Sequence, residues 1–206
     1  MESTTRRRLS PEQRRDQLLG IGARLFAERP YDEVWIEEVA ELAGVSRGLL
    51  YHYFPTKRDF FAAIVERATA HMLAATEIAP DLPMDDQVAA ALDAYIDFFL
   101  ASPQSVQAVN RGAMAGDAGV QCTIQRELAV LQDRMVGALG VTGEARKLAA
   151  LAVHGWLAFV RAVCVEWIES RTISKAELRA LCLRSLAGAL EPVARLDTLP
   201  AVDRRT

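Results

Sequence analysis

The sequence predicts an all-α protein of about nine helices, built as a small N-terminal head followed by a larger helical bundle. Apolar residues recur at helical spacing along most of the 206 residues, and serine, proline and glycine interrupt these runs. No segment alternates with period two for long enough to indicate a strand. We therefore expect a head at residues 10–56, a body at residues 57–195 whose first part (57–77) is a connecting helix, and flexible tails at 1–9 and 196–206.

The first helix has a strong start signal. Ser10 is a good N-cap, Pro11 suits the first helical position, and Gln13 completes a capping box. Pro30 ends the helix because proline cannot continue it. The apolar face of this helix consists of Leu18, Ile21, Leu25 and Phe26.

A tight turn then joins two short helices, at residues 35–43 and 46–53. Gly44 stands where the first of them must stop, and glycine tolerates the left-handed conformation that such stops need. Ser46 can cap the second helix by accepting a hydrogen bond from a free backbone N–H. Leu50 points inward, so the other side of this helix faces out.

That outward side carries hydrogen-bond donors, a ring and a methyl-bearing side chain. The residues are Arg47, Leu49, Tyr51 and His52. A short exposed helix with these groups suits the major groove of DNA.

The body contains helix start signals of the same kind. Thr56 caps the connecting helix, and Ser174 with Glu177 forms a second capping box at the start of the last helix. The predicted helices after the connecting helix are 85–101, 103–112, 120–139, 144–169 and 174–190.

Charge is segregated within a nearly neutral chain. The net charge is −3, and residues 1–60 carry ten Lys/Arg and ten Asp/Glu. Basic residues cluster at Arg6–Arg8, whereas the acids concentrate between Asp32 and Glu41. A local basic rim can serve phosphate contact even when the total is neutral. The Arg6–Arg8 cluster is either a solvated disordered tail or an arm that follows the DNA backbone or enters the minor groove.

Other chemistry finds little support in the sequence. Gly44–Gly48 matches the Gly-x-Ser-x-Gly pattern of hydrolases, but that pattern must follow a strand and here it follows a helix. None of the three histidines has Glu three residues before it, so a di-iron bundle is not supported. We expect no metal, no cofactor and no enzyme activity. His71 is expected on a helix surface, and His154 either in the core or at a pocket.

The expected compartment is the cytoplasm. No uninterrupted run reaches the ~18 apolar residues of a membrane span, and no signal peptide is expected at the N-terminus. Cys122, Cys164 and Cys182 are odd in number and lack Cys-x-x-Cys spacing, so we expect them to be reduced core thiols.

One stretch resembles a known family. The run Gly44-Val45-Ser46, followed by Tyr51-His52-Tyr53-Phe54 and Lys57, is similar to the DNA-binding signature of the tetracycline-repressor (TetR) family over residues 10–65. The resemblance implies a helix-turn-helix head of three helices and a ligand-binding, dimerising helical body. It implies a transcriptional regulator, most simply a repressor. Such a protein binds near-palindromic double-stranded operator DNA as a homodimer and is released by a small apolar effector.

The sequence departs from the family before the second helix. Members usually have Ser or Thr there, which caps the helix and touches a phosphate. This chain has Val34-Trp35 at that place, with Asp32 as an alternative cap and Glu37 and Glu38 just beyond. An acidic second helix keeps a runner-up reading open, in which a small-molecule-binding or enzyme-like helical protein carries a vestigial DNA-binding head.

Within the expected DNA surface each side chain has a role. We expect Arg47 to read a base, Leu49 to meet a thymine methyl, and Tyr51, Tyr53 and Lys57 to hold phosphates. His52 is placed for either role. The full expected set is Ser46, Arg47, Gly48, Leu49, Tyr51, His52, Tyr53, Lys57, Arg6, Arg7 and Arg8.

Two further surfaces are expected in the body. Aromatic and soft side chains can line a small-molecule pocket or simply fill a core. They are Tyr95, Phe98, Phe99, Met114, His154, Trp156, Phe159 and Trp167. Small residues on the last two helices allow close helix approach, either in a four-helix dimer interface or within one chain. They are Ala152, Gly155, Ala158, Ala162, Ser185, Gly188 and Ala189.

Overall fold

The computed structural model describes residues 9–77 and 83–197, and within these ranges it contains nine α-helices and no strand. This confirms the predicted all-α class. The helices are α1 (Pro11–Glu28), α2 (Ile36–Ala43), α3 (Arg47–Tyr53), α4 (Lys57–Ala75), α5 (Met84–Ala101), α6 (Pro103–Asn110), α7 (Ala118–Ala138), α8 (Gly143–Ser170) and α9 (Lys175–Asp197). A short 3-10 turn at Tyr31–Glu33 precedes α2.

Helix α1 begins as its sequence predicts. The Ser10 hydroxyl accepts from the Gln13 N–H at 3.2 Å, and the Gln13 side chain accepts from the Ser10 N–H at 3.0 Å. This reciprocal capping satisfies two backbone donors that the helix itself leaves unpaired. Leu18 and Phe26 on the apolar face of α1 are buried in the head.

The turn between α2 and α3 also follows the local signals. Gly44 adopts φ 65° and ψ 38°, in the left-handed region. The Ser46 hydroxyl caps α3 by accepting from the Leu49 N–H at 3.2 Å, and Leu50 is completely buried. Helix α2 starts differently from the expectation, because Asp32 lies in the 3-10 turn and no side chain caps α2. The residue in the N-cap position is Trp35, which is 71% exposed.

The described chain divides into two compact units. Their limits differ from the expected boundary between head and body at residue 57. One unit contains residues 9–68 and 104–120, and the other contains the remaining described residues. Two hydrogen bonds tie 104–120 into the first unit. Arg58 Nη2 donates to the Ala113 carbonyl at 2.9 Å, and Ser105 Oγ donates to the Phe26 carbonyl at 3.1 Å. These pairs are 55 and 79 residues apart, so local sequence patterns carry no sign of them.

The second unit is organised around α8 and α9. The Trp156 indole N–H of α8 donates to the Cys182 carbonyl of α9 at 2.9 Å. Helix α9 runs to Asp197, although we expected it to end near residue 190. Pro192 lies inside α9 and costs one backbone hydrogen bond. Val193 is nevertheless buried against Ala145 and Ala149, and this packing favours continuation of the helix.

Several smaller expectations have definite outcomes. Cys164 and Cys182 are buried as expected, but Cys122 is exposed on α7 and is not a core thiol. His71 is exposed as expected. Helix α8 is long and apolar enough to cross a membrane by length and composition alone, a test that core helices of soluble proteins also pass. Of the expected flexible tails 1–9 and 196–206, residues 1–8 and 198–206 lie outside the described residues, whereas Leu196 and Asp197 are the last residues of α9.

Candidate nucleic-acid interface and ligand cavity

The outward side of α3 gathers most of the expected DNA-binding residues on one exposed face. Arg47, Gly48 and His52 are exposed, and the exposed fractions of Leu49 and Tyr51 are 36% and 41%. An α-helix with its side chains is about 10–12 Å in diameter, which fits a major groove about 12 Å wide. The cluster Arg6–Arg8 lies outside the described residues.

The opposite side of α3 is anchored in the head. Leu50 and Phe54 are buried, and the Phe54 ring centroid lies 4.8 Å from that of Phe60 on α4. The Arg15 guanidinium lies 5.4 Å from the Phe54 ring centroid. Tyr53 is half-buried, with its ring edge-on to His52 at 5.8 Å. These contacts hold α3 as a fixed platform for its exposed side chains.

Lys57 packs against the 3-10 turn rather than extending from α4 into solvent. Its Nζ lies 4.5 Å from the Tyr31 ring centroid and 3.4 Å from the Asp32 carbonyl oxygen. Partial burial lowers the pKa of Lys57, because water no longer fully solvates its charge. The stacked position pre-orders this ammonium beside the start of α4.

Two acids of α2, Glu37 and Glu38, are paired with neighbouring side chains. The Tyr51 hydroxyl donates to Glu37 Oε1 at 2.7 Å, and Arg29 Nη2 lies 2.6 Å from Glu38 Oε2. The Tyr51 hydrogen bond is the main cause that lowers the pKa of Glu37, and the same bond raises the pKa of Tyr51. Sequence reasoning noted these acids but missed the Glu37–Tyr51 bond, which joins two helices across 14 residues.

The second unit contains an apolar cavity of about 60 Å³. Tyr95 and Trp156 are the two members of the expected pocket set that line it. The other lining residues are Thr76, Gln87, Val88, Ala91, Leu92, Leu131, Arg134, Met135, Leu157 and Val160. On α5 the lining follows the i, i+3, i+4, i+7 stripe from Val88 to Tyr95, a signal that the sequence contained.

The remaining expected pocket residues lie elsewhere. Met114 is buried in the first unit, and Trp167 is buried near the end of α8, where its indole N–H donates to the Ile173 carbonyl at 2.7 Å. His154 is exposed, so it is not a core residue, and its Nδ1 lies 3.3 Å from Gln132 Oε1. Phe99 is buried, whereas Phe98 and Phe159 are half-buried, and none of these three lines the cavity.

A buried polar group adjoins the cavity through Tyr95. The Tyr95 hydroxyl donates to Glu127 Oε1 at 3.0 Å, and Arg161 Nη1 lies 3.5 Å from the same oxygen. Glu127 is only 2% exposed, and burial raises its pKa despite the opposing charge of Arg161. The Arg161 guanidinium also lies 5.7 Å from the Phe99 ring centroid. Sequence reasoning missed this group because its members come from three helices.

The small residues of α8 and α9 lie mainly on exposed surface. Gly155, Ala158, Ala162 and Gly188 are exposed, whereas Ala152, Ser185 and Ala189 are half-buried. The neighbouring Leu151 is 70% exposed. Among the described residues, a Cβ built on Gly155 or Gly188 would meet no atom within 4 Å apart from the backbone of its own helix and its chain neighbours. Ser185 is already paired within the chain, because its Oγ accepts from the Trp156 indole N–H at 3.2 Å.

Metal chemistry finds no candidate in the part of the chain that the structure describes. No group of three or more His, Cys, Asp or Glu side chains is arranged there to hold a metal ion.

A helix-turn-helix whose second helix, α3, is exposed is typical of DNA-binding regulators. Known proteins agree with this class. Residues 18–64 match the family described as bacterial regulatory proteins, tetR family. The transcriptional regulator CymR of Pseudomonas putida is 30% identical over 143 residues, which cover 63% of this chain and 67% of CymR. The chain therefore belongs to the TetR family of transcriptional regulators.

Further similarities concern shorter segments or the fold. The transcriptional activator FasR of Mycolicibacterium smegmatis is 31% identical over 93 residues, so the match spans 44% of this chain and only 42% of FasR. A tetR-family regulator from Streptomyces coelicolor is 28% identical, with a TM-score of 0.82 over 92% of this chain and 85% of that one. These relatives are named as transcriptional regulators, not as enzymes.

Proposed function

We propose that this protein is a ligand-responsive repressor that binds a near-palindromic operator as a homodimer and leaves it when a small apolar effector binds the body. The exposed face of α3, held from behind by Leu50 and Phe54, is the observation that carries the DNA-binding part. Two-fold symmetry would place two such helices in successive major grooves, about 34 Å apart.

We assign the reading of sequence to α3. Arg47 would donate to the O6 and N7 atoms of a guanine, and Leu49 would contact a thymine methyl group. Ser46, Tyr51, Tyr53 and Lys57 would hold phosphates and fix the register without reading sequence. Gly48 would let the DNA backbone approach closely, and His52 can serve either purpose. Arg6, Arg7 and Arg8 would add phosphate contacts from the N-terminal segment.

The dimer interface is proposed on α8 and α9. The exposed Leu151 beside Gly155, Ala158 and Ala162 supports this, because apolar and small residues on one exposed face suit close packing of a second copy. Gly188 and Ala189 would contribute from α9. A four-helix arrangement of two α8–α9 pairs would present the same patch from both subunits.

The cavity lined by Tyr95 and Trp156 is the proposed effector site, because its walls are almost wholly apolar with a few polar groups; at about 60 Å³ it must expand to admit a ligand of ordinary size. Two of those polar groups lie at the end of the connecting helix. Thr76 directly follows α4, and Arg134 Nη1 donates to the Leu73 carbonyl in the last turn of α4 at 2.6 Å. An effector that moves Arg134 would therefore act on α4, whose first part belongs to the head-containing unit.

The experiment that tests this function is selection of operator DNA from a random duplex library, followed by gel shifts with DNA upstream of the protein's own gene. We expect a near-palindromic sequence bound by a dimer. Native mass spectrometry of the protein from its own host would then identify a co-purified effector, and adding that compound should release the DNA. A folded protein that selects no duplex would favour the runner-up, a helical small-molecule-binding or enzyme-like protein with a vestigial head.

The sign of regulation and the location are also proposals. Relatives include proteins named as repressors and one named as an activator, so a transcription assay with the selected operator upstream of a promoter must decide. A cytoplasmic location follows from the proposed role on chromosomal DNA.

A further inference from the structure

The DNA-facing surface contains a hydrogen bond that competes with its proposed use. The Tyr51 hydroxyl of α3 donates to the Glu37 carboxylate of α2 at 2.7 Å. A phenol has a single proton to donate, so donation to Glu37 excludes donation to a DNA phosphate. Because the acceptor is ionised, this bond is about twice as strong as one between neutral groups.

Glu37 also lies within the electrostatic reach of the cations on the same surface. Arg47 and Lys57 both lower the pKa of the Glu37 carboxyl, and its own backbone N–H donates to that carboxylate. The carboxylate therefore has the partners that an incoming phosphate would seek: the Tyr51 hydroxyl, a backbone N–H and two nearby positive charges.

The charge balance of the head increases the effect of Glu37 on DNA binding. Residues 9–60 carry seven Lys/Arg and nine Asp/Glu, so the described part of the head has no general excess of positive charge. Attraction to phosphates depends on a few local cations and donors. A fixed negative charge among them opposes every DNA molecule that approaches, whatever its sequence.

We propose that Glu37 is an internal competitor of DNA phosphate at Tyr51, and that it lowers the affinity of this protein for all DNA by a similar factor. This inference rests on the proposed docking of α3 on DNA. Its consequence is regulatory. A coupling between effector and DNA of about 5- to 150-fold can empty an operator only when the operator complex is not too tight. By weakening DNA binding, Glu37 would make the operator complex easier for an effector to dissociate.

The test compares wild-type protein, Glu37→Gln, Tyr51→Phe and the double variant on two fluorescent duplexes. One duplex carries the sequence selected by the wild-type protein, and the other carries a scrambled sequence of equal composition. Glu28→Gln is the matched control, because Glu28 is an exposed acid at the end of α1 and its change alters the net charge equally. Dissociation constants are measured by anisotropy at several salt concentrations.

We expect Glu37→Gln to increase the affinity for both duplexes by a similar factor of about three to ten. This is the range expected when one nearby negative charge is removed at intermediate dielectric. Glu28→Gln should change them by less than about twofold. Tyr51→Phe should lower affinity less in the wild-type background than in the Glu37→Gln background, because in the wild-type protein Glu37 competes with phosphate for the Tyr51 hydroxyl. In the Glu37→Gln background it should reverse part of the gain, because a neutral amide oxygen holds the Tyr51 hydroxyl less strongly than a carboxylate does and phosphate competes for it more easily.

Unchanged or weaker binding by a folded Glu37→Gln variant would overturn the inference. So would a change confined to the selected duplex, since that result would mean that Glu37 reads a base. If Glu37→Gln failed to fold, the decision would pass to Tyr51→Phe alone, and a large loss of affinity there would contradict sequestration of the hydroxyl. A wild-type protein that binds neither duplex would reject the proposed function itself, a result distinct from failure of the variant.

Discussion

Gly22 of α1 lies directly against the ring of Phe60 on α4. A Cβ built on Gly22 would come within 2.4 Å of Phe60 Cζ and within 2.8 Å of Ile64 Cδ1. Both neighbours are buried, so neither can move away easily. The head thus depends on a glycine at the crossing of these two helices.

We therefore expect Gly22→Ala to lower the free energy of unfolding by about 1–3 kcal/mol, as overpacked core positions do. Gly20→Ala is the matched control two residues away, where the nearest atoms are the Arg67 guanidinium nitrogens at 3.9 Å. That change should stabilise α1 by up to about 1 kcal/mol, because alanine favours helix over glycine. Urea unfolding followed by circular dichroism measures both, and equal effects would contradict the crossing argument.

Arg47 and Lys57 should differ in what they contribute to DNA binding. We expect Arg47→Ala to cost about 1–3 kcal/mol on the selected operator and to relax preference at one base pair. Lys57→Ala should weaken binding to the selected and the scrambled duplex alike. It should also reduce the slope of log affinity against log salt concentration by about 1. Lys147→Ala, at an exposed position on α8, is the control that should leave both duplexes unaffected. Binding isotherms across a salt series distinguish these outcomes.

The exposed face of α8 should control assembly. Leu151→Glu places a charge where the proposed partner subunit packs, so we expect a monomer at micromolar concentration by sedimentation velocity. Leu42→Glu provides the comparison, because Leu42 is also a largely exposed leucine but lies on α2. It should leave the dimer intact. A wild-type protein that sediments as a monomer would remove the proposed interface altogether.

The cavity in the second unit should be closed by one added side chain. Ala91 lines it and Ala90 is exposed on the same helix, so Ala91→Phe and Ala90→Phe form a matched pair. We expect Ala91→Phe to lose any small molecule that co-purifies with the wild-type protein, as read by native mass spectrometry. Operator binding should persist. If Ala91→Phe retains that molecule, the effector occupies another site.

The buried Glu127 should make stability depend on pH. Burial raises its pKa above the ordinary value of 4.5, so the folded protein holds this proton more tightly than the unfolded chain. Its contribution to stability is fully present below pH 4.5 and is lost as pH rises through the raised pKa. Glu127→Gln cannot titrate. As pH rises from 4 to 7, the unfolding free energy of Glu127→Gln should therefore increase relative to that of the wild type.

Urea unfolding at a series of pH values measures this trend. Glu66 is an exposed acid on α4, so the unfolding free energy of Glu66→Gln should change with pH in the same way as that of the wild type. A difference between Glu127→Gln and wild type that stays constant with pH would show that the carboxyl of Glu127 does not change its protonation on folding.

Local signals explain which parts of the fold were predictable. The Ser10–Gln13 capping box, the left-handed Gly44 and the Ser46 cap each depend on residues within a few positions. The expected DNA surface was readable for the same reason, because its members are consecutive on α3. Helix α9 shows the limit of such signals, since burial of Val193 carries the helix past Pro192.

Features built from distant segments were not predictable in this way. The cavity draws on residues between Thr76 and Val160, and sequence reasoning found only Tyr95 and Trp156 among them. The bond from Tyr95 to Glu127 joins α5 and α7 and has no counterpart in periodicity. Such pairings depend on how helices approach in space, which a single sequence does not state.

The three cysteines differ sharply in chemical accessibility. Burial raises the pKa of Cys164 to about 12 and that of Cys182 to about 11, so neither forms much thiolate at neutral pH. Cys122 is exposed near the start of α7. A maleimide dye should therefore attach at that single position in the unmodified protein. Fluorescence from one defined point could then follow effector and operator titrations without any engineered mutation.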